Sequence, residues 1–380
     1  MRIAHISTYP PIECGIGTYT QFFVDAMEKT PNEIHVISQY GARGKDVSPA
    51  YDSGDGDLAR KIFNMTIRFT PDIIHFQHEF GLYGEMNGIA ILDLINRFRS
   101  TGAPTIATLH TVLSDPSFRC KMIIEEMCRC LSSVIVHEES HLDLLTSLYG
   151  ADPSKINVIP HGARTLNPIK DAKKKLQIEG LKTILLIGYF RPTKCFDRIV
   201  DIFPAILEKS PDTCLIISGK LRMLEYSEYR ELLFDKIDAC PAKDRIQVFR
   251  GQFPQKTFDT IVSAGDVLLF PYSAGAQSGV MAHALAFGKP VVTSDLPAFR
   301  NIVQKSGAGF FAGTDEEYVE KIAMLLNDDE QYRTCSENAL KYVNETISWD
   351  IVVQKTLAVY KKFDIDLPRT RYVYVDNEQE

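Results

Sequence analysis

The stretch "IAHISTYPPIECGIGTYTQFFVDAME", residues 3–28, joins an apolar run to a segment with helical character. Residues 3–7 predict a β-strand and residues 18–27 predict a helix, so Gly15 and Gly17 are expected in the turn between them. In an open α/β fold, this first strand-to-helix turn is the usual place of a phosphate-binding loop. The ligand chemistry of the chain therefore depends on what these two glycines do.

A dinucleotide-binding fingerprint would need a third glycine and an acidic residue at the end of the second strand. Thr20 occupies the position of that glycine, and the second apolar run ends on Ser38, Gln39 and Tyr40. These differences argue against an NAD site. Two explanations of the glycines stay open: they permit a tight turn, or they let the backbone approach a different ligand.

Apolar runs compatible with β-strands recur along the whole chain, and segments with helical periodicity separate most of them. This alternation predicts an α/β protein with parallel sheets that are covered by helices on both faces. The polar and basic stretch at 163–182 interrupts it once, and we interpret this stretch as a linker between two Rossmann-like, doubly wound domains. The predicted boundaries are 1–165 and 178–348 for the domains, 349–363 for a closing helix and 364–380 for a tail.

The composition is that of a soluble globular protein, with 45% hydrophobic and 24% charged residues among 380. A formal net charge of −7 argues against general binding of nucleic acid or of anionic membranes, while local basic pockets and peripheral membrane contact remain compatible with it. No signal-peptide pattern and no apolar run of membrane-spanning length occurs, which predicts a cytoplasmic protein. The eight cysteines lack the spacing of a zinc site, so we expect free thiols and no metal.

Ligands of doubly wound sheets bind beyond the carboxyl ends of the strands. In the first half of the chain, these positions hold a group rich in imidazoles: His75, Gln77, His78, Glu79, His110, His137, Glu138 and His161. A single histidine at such a position more often makes a structural hydrogen bond than a catalytic contact. Their collection on one rim nevertheless favours a ligand site. A metal site is not predicted, because neighbouring residues on a strand point to opposite faces.

Cationic side chains follow two strands in the second half of the chain. Arg191 and Lys194 come after one strand, and Lys220 and Arg222 come after the next. Each of them alone is compatible with a solvated loop charge. Four cations on one rim of an acidic protein, however, suit a phosphorylated ligand.

A candidate anion site follows further along the chain. The segment 278–288 predicts a helix that has Ser278 as its N-cap and ends at Gly288. The free N–H groups of Ser278, Gly279 and Val280, together with the helix dipole, form a seat for an anion. This seat would lie on the same rim as the cations.

These motifs together resemble those of the retaining glycosyltransferases of family 4, a large group of GT-B architecture that includes sucrose synthase and bacterial α-mannosyltransferases. The resemblance runs from the glycine turn through "VIPHG", "GYFRPTK", "SGK", "AGDVLLFPY" and "SGVMAHALAFGKPVV" to "SWDIVVQKTLAVYKKF". It implies an active cleft between two Rossmann-like domains, with the glycines beside the donor diphosphate. It also implies that the closing helix crosses back onto the first domain, and it implies no cofactor.

The resemblance assigns roles to individual positions. His110 resembles the histidine that contacts the donor sugar, and Lys194 resembles the lysine that binds the diphosphate, with Arg191 as a second cation. His78 and Glu79 are the candidates for acceptor contact. The remaining donor and phosphate candidates are Gly15, Gly17, Lys220, Gln277, Ser278, Gly279, Val280 and His283.

The chain departs from the family pattern at a pair of glutamates that are eight residues apart. Gly275 and His283 occupy these positions, and although His283 can hydrogen-bond a ribose hydroxyl, nothing replaces the first carboxylate. Tyr189 stands where an arginine usually accompanies the lysine, and Arg191, two residues on, is its substitute. These changes affect recognition of the donor sugar more than the fold or phosphate binding.

The expected activity is transfer of a hexosyl group from a nucleoside diphosphate sugar to a hydroxyl of a glycan or small molecule. The resemblance implies that the anomeric configuration is retained, and no metal ion is expected to take part. The resemblance to the family implies GDP-mannose as the first candidate for the donor and UDP-glucose as the second. Two alternatives stay open. One is a phosphorylase of the same architecture that uses inorganic phosphate, and the other is a non-catalytic partner subunit that keeps the fold.

Overall fold

Two parallel sheets, one from each half of the chain, form the framework of this computed structural model, which describes residues 1–221, 226–251, 253–274 and 278–363. The first sheet contains β1 (Arg2–Ile6), β2 (Glu33–Gln39), β3 (Val47–Tyr51), β4 (Ile73–His78), β5 (Thr105–Leu109), β6 (Ser133–Val136) and β7 (Ile156–Val158). Its strand order is β3-β2-β1-β4-β5-β6-β7, and all its neighbouring strands are parallel.

The second sheet has six strands. They are β8 (Lys182–Tyr189), β9 (Thr213–Lys220), β10 (Ile246–Arg250), β11 (Val267–Phe270), β12 (Val291–Ser294) and β13 (Gly309–Ala312). Their order is β10-β9-β8-β11-β12-β13, again parallel throughout. Both sheets reverse their strand order beside the first strand of the half, which is the switch point where doubly wound folds bind ligands.

Helices connect the strands. The first half contains α1 (Gly15–Met27), α2 (Leu58–Arg68), α3 (Glu85–Gly88), α4 (Ala90–Arg99), α5 (Phe118–Cys130) and α6 (Glu139–Ser147). The second half contains α7 (Ala172–Lys175), α8 (Phe196–Lys209), α9 (Ser227–Ala239), α10 (Gln255–Ala264), α11 (Gly279–Ala286), α12 (Pro297–Ser306), α13 (Asp315–Asn327), α14 (Asp329–Tyr342) and α15 (Trp349–Lys361). The prediction of two doubly wound parallel-sheet domains is confirmed.

Burial explains why these apolar runs became central strands. Every residue of β4 and β5 is buried, because helices cover both faces of a parallel sheet. Polar atoms inside such a strand need partners within the protein. His75 of β4 meets this need, since one ring nitrogen contacts Thr108 Oγ1 at 2.8 Å and the other contacts the hydroxyl of Tyr360.

The last helix returns from the second half of the chain to the first. The side chains of α15 pack against α1 and enter the apolar cluster that contains Ile3 and Phe23. The chain crosses between the halves at 163 and again at 348, and the two crossings bind each other. Ala163 N donates to the carbonyl of Ile347 at 2.7 Å, and Trp349 N donates to the carbonyl of Ala163 at 3.1 Å.

Among the described helices, none combines the length and the apolar character that crossing a membrane would require.

Candidate active site

Three imidazoles gather around one tyrosine at the carboxyl ends of β5, β6 and β7. The ring of Tyr19, from α1, lies 4.8 Å from that of His110 and 5.1 Å from that of His161 between centroids. His137 completes the group, 5.1 Å from His110 and 5.7 Å from His161. We call Tyr19, His110, His137 and His161 the histidine cluster. The sequence predicted the three histidines on one rim, and the structure brings them into contact.

Burial keeps these imidazoles neutral. It lowers the pKa of His137 to about 3 and, with the nearby imidazoles, holds the pKa of His110 well below its usual value. Two protons can be assigned, because a carbonyl oxygen only accepts. His137 Nδ1 donates to the carbonyl of Ile159 at 2.9 Å, and His161 Nδ1 donates to that of Gly162 at 2.8 Å. The cluster therefore offers ring-nitrogen lone pairs and carries no positive charge at neutral pH.

Lys194 and Ser278 of the second half both contact Tyr272. Lys194 Nζ lies 3.5 Å from the centroid of the Tyr272 ring, and the hydroxyl of Tyr272 lies 3.3 Å from Ser278 Oγ. Ser278 caps α11 as expected, since its Oγ accepts a hydrogen bond from Met281 N at 3.3 Å. Burial, with the nearby Arg191, lowers the pKa of Lys194 to about 7. This lysine would gain its charge most readily when an anion binds beside it.

The anion seat of the second half faces the histidine cluster of the first. A Cβ placed on Gly279, in the first turn of α11, would lie 3.3 Å from His161 Nε2. A cavity of about 180 Å³ opens beside this contact. Both halves line it, with His137, Glu138, His161, Ser278, Asn301 and Lys305 among its residues. His161 of the histidine cluster thus approaches the predicted anion seat from the opposite domain.

The two glycines lie inside a helix rather than in a turn before it. The helix α1 begins at Gly15, three residues earlier than predicted, and neither Gly15 nor Gly17 has a positive φ. A Cβ on Gly15 would meet no atom within 4 Å, whereas one on Gly17 would lie 3.4 Å from Tyr9 N. The predicted turn is therefore wrong. The first N–H groups of α1 point out of the helix end at this position.

Lys220, predicted to bind phosphate, holds an acidic side chain in this structure. Its Nζ donates a hydrogen bond to Glu13, which lies two residues before the start of α1 in the first half. Arg191 lies with its guanidinium 5.7 Å from the ring of Tyr226. Gln277, another predicted donor contact, lies outside the described residues, as does Gly275.

The two predicted acceptor residues, His78 and Glu79, differ in burial in the structure. His78 is fully buried, with its ring 5.3 Å from Phe80 and 6.4 Å from Tyr83, so it offers no surface to an acceptor and its assignment is wrong. Its neighbour Glu79 is half-buried and accepts a hydrogen bond from Thr111 Oγ1 at 2.6 Å. Glu79 alone stays a candidate for acceptor contact.

His283, which replaces a glutamate of the family pattern, lies between two aromatic rings. Its ring centroid is 6.1 Å from that of Phe22 and 5.4 Å from that of Phe258. Burial and the nearby Arg164 lower its pKa to about 3. A neutral imidazole thus occupies a position where the family has a carboxylate, and its Nδ1 is buried without a hydrogen-bond partner among the described residues.

Sequence reasoning missed Tyr19, Tyr272 and Glu13. Tyr272 is the second residue after β11, so the rule that singled out the other strand ends could have found it. Tyr19 and Glu13 belong to α1 and the loop before it, and no pattern distinguishes them from packing or solvated residues. Among the described residues, no group of three or more His, Cys, Asp or Glu side chains is arranged to hold a metal ion.

Two family models match consecutive parts of the chain. The model of Glycosyltransferase Family 4 matches residues 15–165, and that of Glycosyl transferases group 1 matches residues 168–342. The solved structure of Anabaena HepE in complex with UDP and glucose superposes with a TM-score of 0.77 at 16% identity, over 95% of this chain and 100% of that one. This likeness shows the fold.

Two curated relatives share part of the sequence. A phosphatidyl-myo-inositol mannosyltransferase of Mycobacterium leprae is 27% identical over 187 residues, 47% of this chain and 46% of that protein. A D-inositol 3-phosphate glycosyltransferase of Gordonia bronchialis is 22% identical over 288 residues, 69% of this chain and 61% of that protein. The matched region thus spans about half of the first relative and less than two thirds of the second. With both halves matched by glycosyltransferase models and the fold in agreement, the chain belongs to the family-4-like glycosyltransferases of the GT-B fold.

Proposed function

We propose that the protein transfers a hexosyl group, mannose or glucose, from a nucleoside diphosphate sugar to a hydroxyl of a glycan or small molecule. One observation carries this proposal: the capped N-terminus of α11, with Lys194 beside it, faces the histidine cluster across the interdomain cleft. A diphosphate suits the first group because helix N–H groups and cations both favour an anion. A sugar suits the second, because neutral imidazoles exchange hydrogen bonds with hydroxyl groups.

The charges on the donor side determine the chemistry that the cleft can support. The bond between the anomeric carbon and the diphosphate oxygen breaks, and negative charge accumulates on the diphosphate as it leaves. Lys194, Arg191 and the N–H groups of Ser278, Gly279 and Val280 stabilise this charge, so no metal ion is required. Attack by the acceptor hydroxyl on the same face of the sugar retains the anomeric configuration, and the hydroxyl proton passes to the departing phosphate oxygen.

The names of comparable proteins support the donor class. HepE was solved with UDP and glucose, and the Mycobacterium leprae relative is named a mannosyltransferase. UDP-glucose and GDP-mannose are therefore the donors to test first. The eight unpaired cysteines agree with a reducing, cytoplasmic location, and contact with a membrane surface is compatible with an acceptor of the kind named for that relative.

His283 favours a second candidate, a partner subunit that binds without turnover. A neutral imidazole packed between Phe22 and Phe258 cannot replace the charge of a carboxylate at a donor site. A GT-B phosphorylase is a third candidate, since Lys194 and the α11 N-terminus would also suit inorganic phosphate.

A panel of ligands separates these candidates. Thermal unfolding is recorded with UDP-glucose, GDP-mannose, UDP, GDP and inorganic phosphate, each in the presence of EDTA, and product formation is then followed by mass spectrometry with glycan and inositol acceptors. A transferase is stabilised by a nucleotide sugar and releases the nucleoside diphosphate. A partner subunit is stabilised without release, and a phosphorylase responds to phosphate alone.

A further inference from the structure

A chain of hydrogen bonds leads from the interior of the first sheet to His110. His110 Nε2 lies 2.7 Å from Gln77 Oε1, and Gln77 Nε2 lies 3.0 Å from His5 Nε2. These hydrogen bonds thus connect His5 of β1, Gln77 of β4 and His110, which follows β5. The three strands are neighbours in the sheet. His5 and Gln77 are fully buried, so bulk water does not compete for these hydrogen bonds.

The amide of Gln77 determines where the protons lie. An amide side chain accepts hydrogen bonds at its oxygen and donates them from its nitrogen. Because the oxygen faces His110, Nε2 of His110 carries the proton. Because the nitrogen faces His5, Nε2 of His5 carries the lone pair. In neutral His110 the remaining lone pair is then on Nδ1.

Neighbouring side chains hold the backbone of Gln77 and the ring of His5. The backbone carbonyl of Gln77 accepts a hydrogen bond from the hydroxyl of Tyr83 at 2.8 Å. The ring of His5 stacks on Phe23 at 5.2 Å and meets the edge of His75 at 4.9 Å. Turning the amide over would bring its nitrogen to His110 and its oxygen to His5. Both imidazoles would then have to exchange tautomers together, since otherwise donors would face donors and acceptors would face acceptors.

We propose that Gln77, oriented by His5, is the positioning residue that holds His110 as the neutral Nε2–H tautomer, with Nδ1 free to accept a hydrogen bond from a sugar or acceptor hydroxyl. The identity of that ligand rests on the proposed function. The tautomer is a property of the unliganded protein, and it can be measured whether or not the protein transfers sugar.

Several other titratable groups face His110. They are Tyr19 of α1, His75 and His78 of β4, His137 after β6 and His161 after β7. None of them is charged at neutral pH, because burial raises the pKa of Tyr19 and lowers the pKa values of all four histidines. The amide of Gln77 is therefore the group that bonds Nε2 of His110, and it does so without adding a charge.

The direct test is long-range 1H–15N correlation spectroscopy of the full chain labelled with 15N-histidine. The His110 signals are assigned by their loss in His110→Gln. We expect His110 in the Nε2–H pattern between pH 6.5 and 8, and we expect Gln77→Leu to convert it to a mixture of tautomers. His110 in the Nδ1–H pattern, or an unchanged Nε2–H pattern in Gln77→Leu, would overturn the proposal.

Kinetics separates positioning from simple loss of packing. Gln77→Leu should lower kcat on the order of tenfold and change KM for the donor less, because the ring is then free to adopt the wrong tautomer. Gln77→Glu keeps an acceptor beside Nε2 and should restore the Nε2–H pattern. Its carboxylate should also raise the pKa of His110 and move the acidic limb of the kcat profile to higher pH.

Two controls complete the design. Gln39→Leu removes an amide from the end of β2, where it bonds the carbonyl of Leu82 instead, and it should leave the His110 signals unchanged. If Gln77→Leu does not fold, the proposal is tested by the tautomer of His110 in the wild-type protein and by the pH profile of kcat in Gln77→Glu. A pH profile that is not shifted in Gln77→Glu counts against the proposal. A wild-type protein that shows the expected tautomer, loses it in Gln77→Leu and transfers no sugar would refute the proposed function and leave the positioning of His110 confirmed.

Discussion

Gly162 lies directly against the indole of Trp349, so closely that a Cβ on Gly162 would come within 2.4 Å of the ring. The two residues belong to the two crossings between the halves of the chain. Trp349 also meets Tyr19 edge-on at 4.8 Å, which connects this contact to the histidine cluster. The position of the first residues of α15 therefore influences the wall of the cleft.

We expect Gly162→Ala to destabilise the protein. The buried indole cannot move away without disturbing Tyr19, and overpacking of this kind costs about 1–3 kcal/mol. Chemical denaturation should show the change as a lower midpoint with an unchanged slope. Gly56→Ala is the matched control, since a Cβ there meets no atom within 4 Å. Equal stability of the two variants would mean that Trp349 does not press on Gly162.

His110→Ala should lower kcat more than it weakens binding of the donor. The imidazole is half-buried at the end of β5, and one lost hydrogen bond to a reacting sugar corresponds to about tenfold in rate. Steady-state kinetics together with calorimetry of donor binding separates the two effects. His35→Ala is the control: it removes an imidazole of β2 that is hydrogen-bonded to Ser48 of β3 at 2.8 Å, and it should keep the parental kcat. An unchanged kcat in His110→Ala would remove this residue from the site.

Donor affinity should fall as the pH rises above 7. The pKa of Lys194 is lowered to about 7 in the unliganded protein, and a bound diphosphate raises it by favouring the ammonium form. Binding therefore takes up a proton above pH 7, and Kd should rise towards tenfold per pH unit until the pKa of the complex is reached. Below pH 7 the lysine is already charged, so Kd should level off.

Calorimetry with UDP-glucose or GDP-mannose measures this dependence, because their diphosphates do not titrate in this range. Repeating the titration in buffers of different ionisation enthalpy counts the protons taken up. Lys194→Arg keeps a permanent charge and should remove the dependence. A Kd that is constant from pH 7 to 9 in the parent protein would show that Lys194 does not titrate on binding.

Ligands of doubly wound sheets bind beyond the carboxyl ends of the strands, and this explains why much of the site was predictable. Parallel strands bring their carboxyl ends to one edge, so His110, Lys194 and Ser278 could be placed near a ligand from sequence alone. The same rule could not separate Gln77 from His78, which follow each other on β4 and point to opposite faces. Gln77 meets His110, whereas His78 is buried against Phe80 and Tyr83.

Contacts between the halves could not be predicted. The pairing of Glu13 with Lys220 and the approach of His161 to Gly279 depend on how the two domains face each other, which no local pattern encodes. The start of α1 was misjudged because glycine favours turns in isolation. Packing of α1 against β1 and α15 outweighs that preference, so the helix already includes Gly15 and Gly17.

The most direct test of the central claim is calorimetry of UDP and GDP binding to Lys194→Ala in the presence of EDTA. Loss of one charged partner from a partly desolvated contact costs on the order of 1.5–3 kcal/mol, so affinity should fall about ten- to a hundredfold. The melting temperature of the unliganded variant should change little. Lys182→Ala, at the opposite end of β8 where its Nζ bonds Asn327 at 2.7 Å, should bind like the parent. Parental affinity in Lys194→Ala, or binding that requires a divalent cation, would contradict the assignment of the phosphate site.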